Sequence, residues 1–317
     1  MTARLLPALG LVLLAPLVGE YLLGNVPITE LPALPLLAPL YGGGALLIRE
    51  VARRTGRGWP AMLVLGLAYG LPQAGLIDWS LFAPPVLAGA EPGPAATHLP
   101  ALGLNAADAL SFVVGHAVWS IGVPIAIVEA WMPERAETPW LGRAGTAGAA
   151  GLYLIGAAVI LVWAWNQGTV HAPAAGVATV AVVAAGLVAG ALAVPRRRRS
   201  ISARPAPRPW LVGVLAFVVS GVFFLRDETW PGVALGVVLA GVSAVVVLFW
   251  SRRPGWGIRH RLALAGGALL TYAWGGFVLT TLLGRAQPVH LAGNAVLAAA
   301  AIGLLVLTVR RSRAAAG

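Results

Sequence analysis

Apolar residues fall along this chain in blocks of about twenty, and short connections rich in arginine, glycine and proline separate them. A helix rises about 1.5 Å per residue, so such a block matches the hydrocarbon core of a bilayer, roughly 30 Å thick. The blocks cover residues 5–23, 31–48, 59–81, 106–131, 147–165, 173–194, 210–225, 231–250, 262–284 and 290–309. Inside lipid no water satisfies an open backbone, so each block is expected to be a helix. The expected fold class is therefore all-α, a polytopic membrane bundle of about ten transmembrane helices forming one domain over residues 1–317. The first block follows Arg4 in the manner of a signal sequence. No small-x-small cleavage site precedes Glu20, so an uncleaved first span is expected.

Arginine placement adds an orientation. With alternate connections assigned to the inside, the inner set holds twenty arginines, among them Arg4, Arg49, Arg53, Arg54, Arg57, the run Arg196 to Arg199, Arg261 and Arg313. The outer set holds Arg226 and Arg285 alone. Positive residues are retained on the cytoplasmic side, so both termini are expected there. Missing or inventing a span would scramble the alternation beyond it. Tryptophans near span ends, including Trp59, Trp131, Trp140, Trp163, Trp165, Trp210 and Trp230, fit the headgroup layer, whereas Trp119 and Trp274 fall near mid-span.

Composition then removes whole classes of function. The net charge of +11 comes from 22 arginines and no lysine against 11 acidic residues, yet the arginines sit in connections and not on one polar domain. No nucleic-acid partner is expected. With no cysteine, disulfides, thiolate metal sites and cysteine nucleophiles are excluded. The histidines His98, His116, His171, His260 and His290 form no HExxH and no pair four apart. A mononuclear metal would need His116 with carboxylates such as Asp78 or Asp108, and neither metal nor cofactor is expected. There is also no GxSxG elbow.

Polarity is unevenly distributed. Nine of the eleven acidic residues lie before residue 138, which separates a polar-lined four-helix part, 1–145, from an Ala/Gly/Val-rich six-helix part, 146–317. Polar groups inside lipid are costly and face a bundle interior or a watery cavity, so a site is expected in the first part. In the second, Gly186 with Gly190 and Gly232 with Gly236 have the spacing of close helix packing. The third span, GLAYGLPQAGLIDWSLF, places Tyr69 and Gln73 one turn apart around Pro72. In the fourth, His116, Trp119 and Ser120 share a side above Pro124. Each proline withdraws an amide hydrogen and frees the carbonyl four residues back, here those of Ala68 and Ser120.

Gln73 and His116 fall at similar depth, roughly 10 to 15 Å below the outer surface, on adjacent antiparallel spans. Glu20, Asn25, Glu30, Asp78, Asn105 and Asp108 gather near the outer ends. The proline-rich connection 82–105 lies outside too, as a plain loop or a lid over the outer mouth. The candidate binding residues are thus Glu20, Tyr69, Gln73, Asp78, Asp108, His116, Trp119 and Ser120. At the inner end of the second span, Gly42 to Gly44 allow a backbone to approach closely, and Arg49 and Glu50 are expected to pair locally or to lie among headgroups. The run Arg196 to Arg208 reads as a topology anchor or a holder of anionic lipid.

The segments GEYLLGN, LYGGGALLIREVARRTGRGW, the third span, HAVWSIGVPIAIVE and PWLG, together covering roughly 15–145, resemble an uncharacterised family of multi-pass membrane proteins from actinobacteria. The resemblance implies a bacterial plasma membrane. That family is distantly similar to the CAAX-protease-like intramembrane proteases, whose paired glutamates activate water. Gln73 and Ala74 stand at the paired-glutamate positions, with His116 matching a membrane histidine, so the general base is missing and a proteolytic member would be disabled or use a different acid such as Asp78. The expected role is non-enzymatic binding of a small molecule, lipid or partner protein in the bilayer. The alternatives are a ten-helix small-molecule transporter and a degenerate protease-like hydrolase.

Overall fold

The computed structural model describes residues 2–83, 95–168, 172–196 and 204–314, and the side chains of 2–4 are outside that description. His171, the stretch 84–94 of the expected lid, and most of the Arg196 to Arg199 run therefore lie outside the described residues.

Each expected apolar block is a helix. Helix α1 (Thr2–Pro16) continues into a π-helical turn, Leu17–Tyr21, and a 3-10 turn, Ile28–Ala33, leads into α2 (Leu34–Arg54). Helix α3 (Gly58–Pro72) ends in a π-helical turn, Gln73–Ile77. Helices α4 (Ala106–Gly115) and α5 (Val123–Trp131) join through a third, His116–Gly122, into one rod. There follow α6 (Arg143–Gln167), α7 (Ala174–Ala193), α8 (Pro209–Leu225), α9 (Trp230–Trp250), α10 (Ile258–Leu282) and α11 (Pro288–Ala314). Among the described residues the strands are a two-residue hairpin, β1 (His98–Leu99) with β2 (Leu104–Asn105), which leads into α4. Asn105 caps α4 by accepting from the Ala107 amide, and Thr229 caps α9 by accepting from Gly232.

Eight of these rods are long and apolar enough to cross a bilayer; α8 and the stretch Leu5–Tyr21 are shorter apolar helices. This is an all-α polytopic membrane fold. The spans built on α2, α3, the α4–α5 rod and α10 are 50–67% buried, whereas α6, α7, α9 and α11 are 11–17% buried and present apolar faces outward. Helix α10, from the Ala/Gly-rich part, thus stands among the central helices, packed on α5, α8 and α11.

Small residues decide how closely the central helices approach. A Cβ on Gly42 would collide with the Val12 backbone of α1, and one on Gly43 would lie 2.8 Å from the Tyr153 nitrogen of α6. Gly156 of α6 is opposed in the same way by the backbone of Leu40. Without a water-driven force between helices, such backbone contact supplies the dispersion that holds them. Gly186 and Gly190, expected to do the same, face open space. Gly236 does lie against Leu110 and Arg226, and Gly232 meets Asp227 of the loop preceding its own helix.

Candidate functional site

Three π-helical turns, one on each of α1, α3 and the α4–α5 rod, carry Glu20, Gln73 and His116. Pro16 and Pro72 immediately precede the first two, and Pro124 follows the third by two residues. A proline removes an intrahelical donor, and the chain re-forms its ladder with wider bonds such as Leu22 N to Leu17 O at 2.9 Å and Asp78 N to Gln73 O at 3.1 Å. The widened turns change which side chains face inward, and here they turn polar groups toward one another.

The Glu20 carboxylate, 8% exposed, accepts from the Tyr41 hydroxyl at 2.5 Å and from Asn25 Nδ2 at 2.6 Å. The Tyr41 ring stacks on the His116 imidazole, centroids 5.9 Å apart, and Tyr69 leans on the same imidazole at 5.8 Å. His116 Nδ1 lies 2.6 Å from the Phe112 carbonyl, so that nitrogen carries the hydrogen. Its Nε2 is buried without a partner. Gln73 Nε2 donates to Asp78 Oδ2 at 3.3 Å, while Gln73 Oε1 is buried and unpartnered. Asp78 Oδ1 also accepts from the Ser80 amide at 2.9 Å, across Trp79, whose φ of 63° is the one left-handed non-glycine conformation among the described residues. Ser120 lies against Gly19, where a Cβ would come within 2.6 Å of its hydroxyl.

Glu20, Tyr69, Gln73, Asp78, His116 and Ser120 thus share one region, joined by Tyr41, which sequence reasoning did not single out. Trp119 and Asp108 are elsewhere. The π-helical winding turns Trp119 away from His116 and onto α10, where its ring stacks on Tyr272 at 4.3 Å and its indole donates to the Ala268 carbonyl. Asp108 accepts from Asn105 at 2.8 Å near the start of α4. Nearby, Arg226 donates to Ser111 Oγ at 2.6 Å. In the loop beyond Arg226, Glu228 has its carboxyl raised above the usual range, chiefly by burial and further by Asp108, with Arg226 opposing.

The opposite end of the bundle holds a second polar centre. Arg49 of α2 is fully buried, with its Nε 3.0 Å from Glu129 Oε1 of α5 and its Nη1 3.0 Å from Glu50. Its remaining donors reach the carbonyls of Arg135, Ala136 and Thr138, and its guanidinium lies 3.4 Å over the Trp140 ring. Arg53 closes on Glu129 at 2.6 Å and also pairs with Glu137, which receives Arg261 of α10 at 2.7 Å. Glu50 accepts the amides of Trp140 and Leu141. Local pairing of Arg49 with Glu50 was legible, but the wider network was not, because Arg49 and Glu129 are 80 residues apart. Trp140, expected among headgroups, is instead 4% exposed beneath Arg49. Burial would raise the Glu137 carboxyl, yet Arg261 and Arg53 together hold it below the usual carboxylate range.

Among the described residues no three His, Asp or Glu side chains are grouped to hold a metal ion. The build is that of a polytopic helical membrane protein with polar groups gathered inside its bundle. The chain belongs to an uncharacterized membrane protein family, whose model matches residues 9–316. Comparison with curated proteins and with solved structures gives no match.

Proposed function

We propose that this chain crosses the bacterial plasma membrane ten times, both termini in the cytoplasm, and binds a small molecule at the Glu20, Gln73 and His116 cluster without transforming it. The carrying observation is the pair of buried acceptor atoms, Gln73 Oε1 and His116 Nε2, that no donor among the described residues satisfies. Each such atom costs about 1–3 kcal/mol. A bilayer offers no bulk water to relieve that cost, so a site retaining two of them is fitted for an incoming group. The arginine distribution supports an orientation with this cluster toward the outer side and the Arg49 network toward the inner side.

Hydrolysis has the weaker support, because Gln73 and Ala74 stand where the resemblance would put the paired glutamates that activate water, and only His116 Nε2 and the neighbouring Asp78 carboxyl could serve instead. Transport is the second reading, favoured by a closed ionic end at Arg49 opposite an unsatisfied polar cluster. Retention of a bound solute without uptake into proteoliposomes would count against it.

The test of binding is a thermal-shift screen of the protein in nanodiscs, repeated on a Gln73→Leu, His116→Ala double variant. Stabilising compounds are expected to lose their effect in the variant. An unchanged profile would sink the binding reading. Orientation is checked separately: with no native cysteine, single cysteines at Arg57 and Arg285 are expected to react with an impermeant thiol reagent from opposite sides.

A further inference from the structure

We infer that the ligand of this cluster is a small organic ammonium ion, a primary amine whose N–H groups complete Gln73 Oε1 and His116 Nε2 between the carboxylates of Glu20 and Asp78. The inference rests on the binding reading above and names the chemistry of its occupant.

The donor and acceptor inventory leads there. The Phe112 carbonyl can only accept, so the hydrogen of a neutral His116 ring sits on Nδ1, and Nε2 is left as an acceptor. The Asp78 carboxylate requires a donor, so the NH2 of Gln73 points to it and the amide oxygen is left over. Both unpartnered atoms are therefore acceptors, Gln73 being 1% exposed and His116 9%. An anion or a carbonyl compound would add a further acceptor. What the site lacks is N–H.

Charge points the same way. At the Arg49 end, Glu50, Glu129 and Glu137 each have a guanidinium within 3.0 Å. Among the described residues no arginine forms an ion pair with Glu20 or Asp78, and His116 is the basic group found among the electrostatic neighbours of both. Glu20 is held by a hydroxyl and an amide, and Asp78 by an amide and a backbone N–H. A carboxyl group that ionises here, held only by neutral donors, leaves negative charge for a cation to balance.

The walls select the kind of cation. The Tyr41 and Tyr69 rings pack on the His116 imidazole, so a group bound at its Nε2 has aromatic neighbours, which suit a weakly hydrated ammonium. Hard metal ions take oxygen ligands at short range, which an imidazole nitrogen suits poorly. A primary ammonium has three N–H donors and an apolar stem, and it needs no tight ligand shell.

The experiment uses the full chain in nanodiscs at neutral pH, with binding followed by calorimetry and thermal shift. The probes are ethyl-, butyl- and benzylammonium chloride, the matched neutral amides and carboxylates, and sodium chloride alone. At least one amine is expected to bind and raise the Tm, while amides, carboxylates and sodium do not. Asp78→Asn and Gln73→Met are each expected to weaken the amine about tenfold or more, the loss of one charge-assisted contact. Because Asp78→Asn keeps side-chain shape, its unliganded Tm separates lost binding from lost folding. Binding by a neutral amide or a carboxylate that these variants abolish would overturn the ammonium inference and leave the binding reading standing. Stabilisation by sodium equal to that by the amines would overturn it too. If no amine binds, the inference falls, and the broad screen on the double variant then decides the binding reading by itself.

Discussion

Glu129 is the residue on which the buried charges at the Arg49 end of the bundle converge. Both its oxygens are engaged by guanidiniums, Arg49 at 3.0 Å and Arg53 at 2.6 Å, and its side chain is 1% exposed. Breaking such a pair leaves uncompensated buried charge, which costs about 3–5 kcal/mol, more than the intact pair contributes over an apolar substitute. Glu129→Ala is therefore expected to lower the Tm sharply, and Glu137→Ala, whose side chain is 61% exposed, to have little effect. Near-equal losses in a thermal melt would contradict this account. At the cluster, Glu20, Gln73 and His116 were legible individually, because a polar side chain in an apolar block is conspicuous by its cost. Tyr41 was not: an isolated tyrosine in a glycine-rich span carries no sign that its hydroxyl reaches back 21 residues to Glu20.

Helices here are positioned by where small residues fall, and sequence spacing alone reports that unevenly. Gly42 meets the backbone of α1, whereas Gly186, in an equally regular pattern, meets nothing. Gly42→Val is expected to force α1 and α2 apart at a cost of at least about 1–3 kcal/mol. Gly186→Ala is expected to be neutral or stabilising by about 0.5–1 kcal/mol, since alanine is the better helix former. Unfolding of the two variants in detergent measures both, and a destabilised Gly186→Ala would mean that α7 packs on a partner there. The π-helical turns are the other feature at this scale. Their prolines were visible, but one winding error separates Trp119 from His116, and ideal α-helical spacing placed the two on one side.

Glu137 joins Arg53 of α2 to Arg261 of α10, tying the two ends of the chain's central group together. Its carboxyl titrates below the usual range in the folded protein. Its contribution is therefore present above the ordinary carboxylate value and lost as pH falls through the lowered one. Glu137→Gln is expected to flatten the decline of Tm in that acidic interval while leaving the neutral region little changed, a modest effect because the side chain is largely exposed. An unchanged acid profile would show that the bridge does not couple to stability. At this scale too, α10 belongs with the buried helices although its composition resembles that of the peripheral ones. Its central place comes from packing on α5, α8 and α11.

By itself the sequence determined that the chain is a bundle of apolar helices, where those helices run, and which polar residues lie within them. Each of these follows from local quantities: the length of an apolar run against the thickness of a bilayer, and the cost of a polar group away from water. Tertiary structure alone decided which polar groups meet. Arg49 with Glu129, Tyr41 with Glu20, and Trp119 with Tyr272 are contacts between distant segments, set by backbone approach and helix winding. Gln73 Oε1 and His116 Nε2 are left unpartnered for the same reason, since the absence of a donor is a property of the assembled bundle and of no single helix.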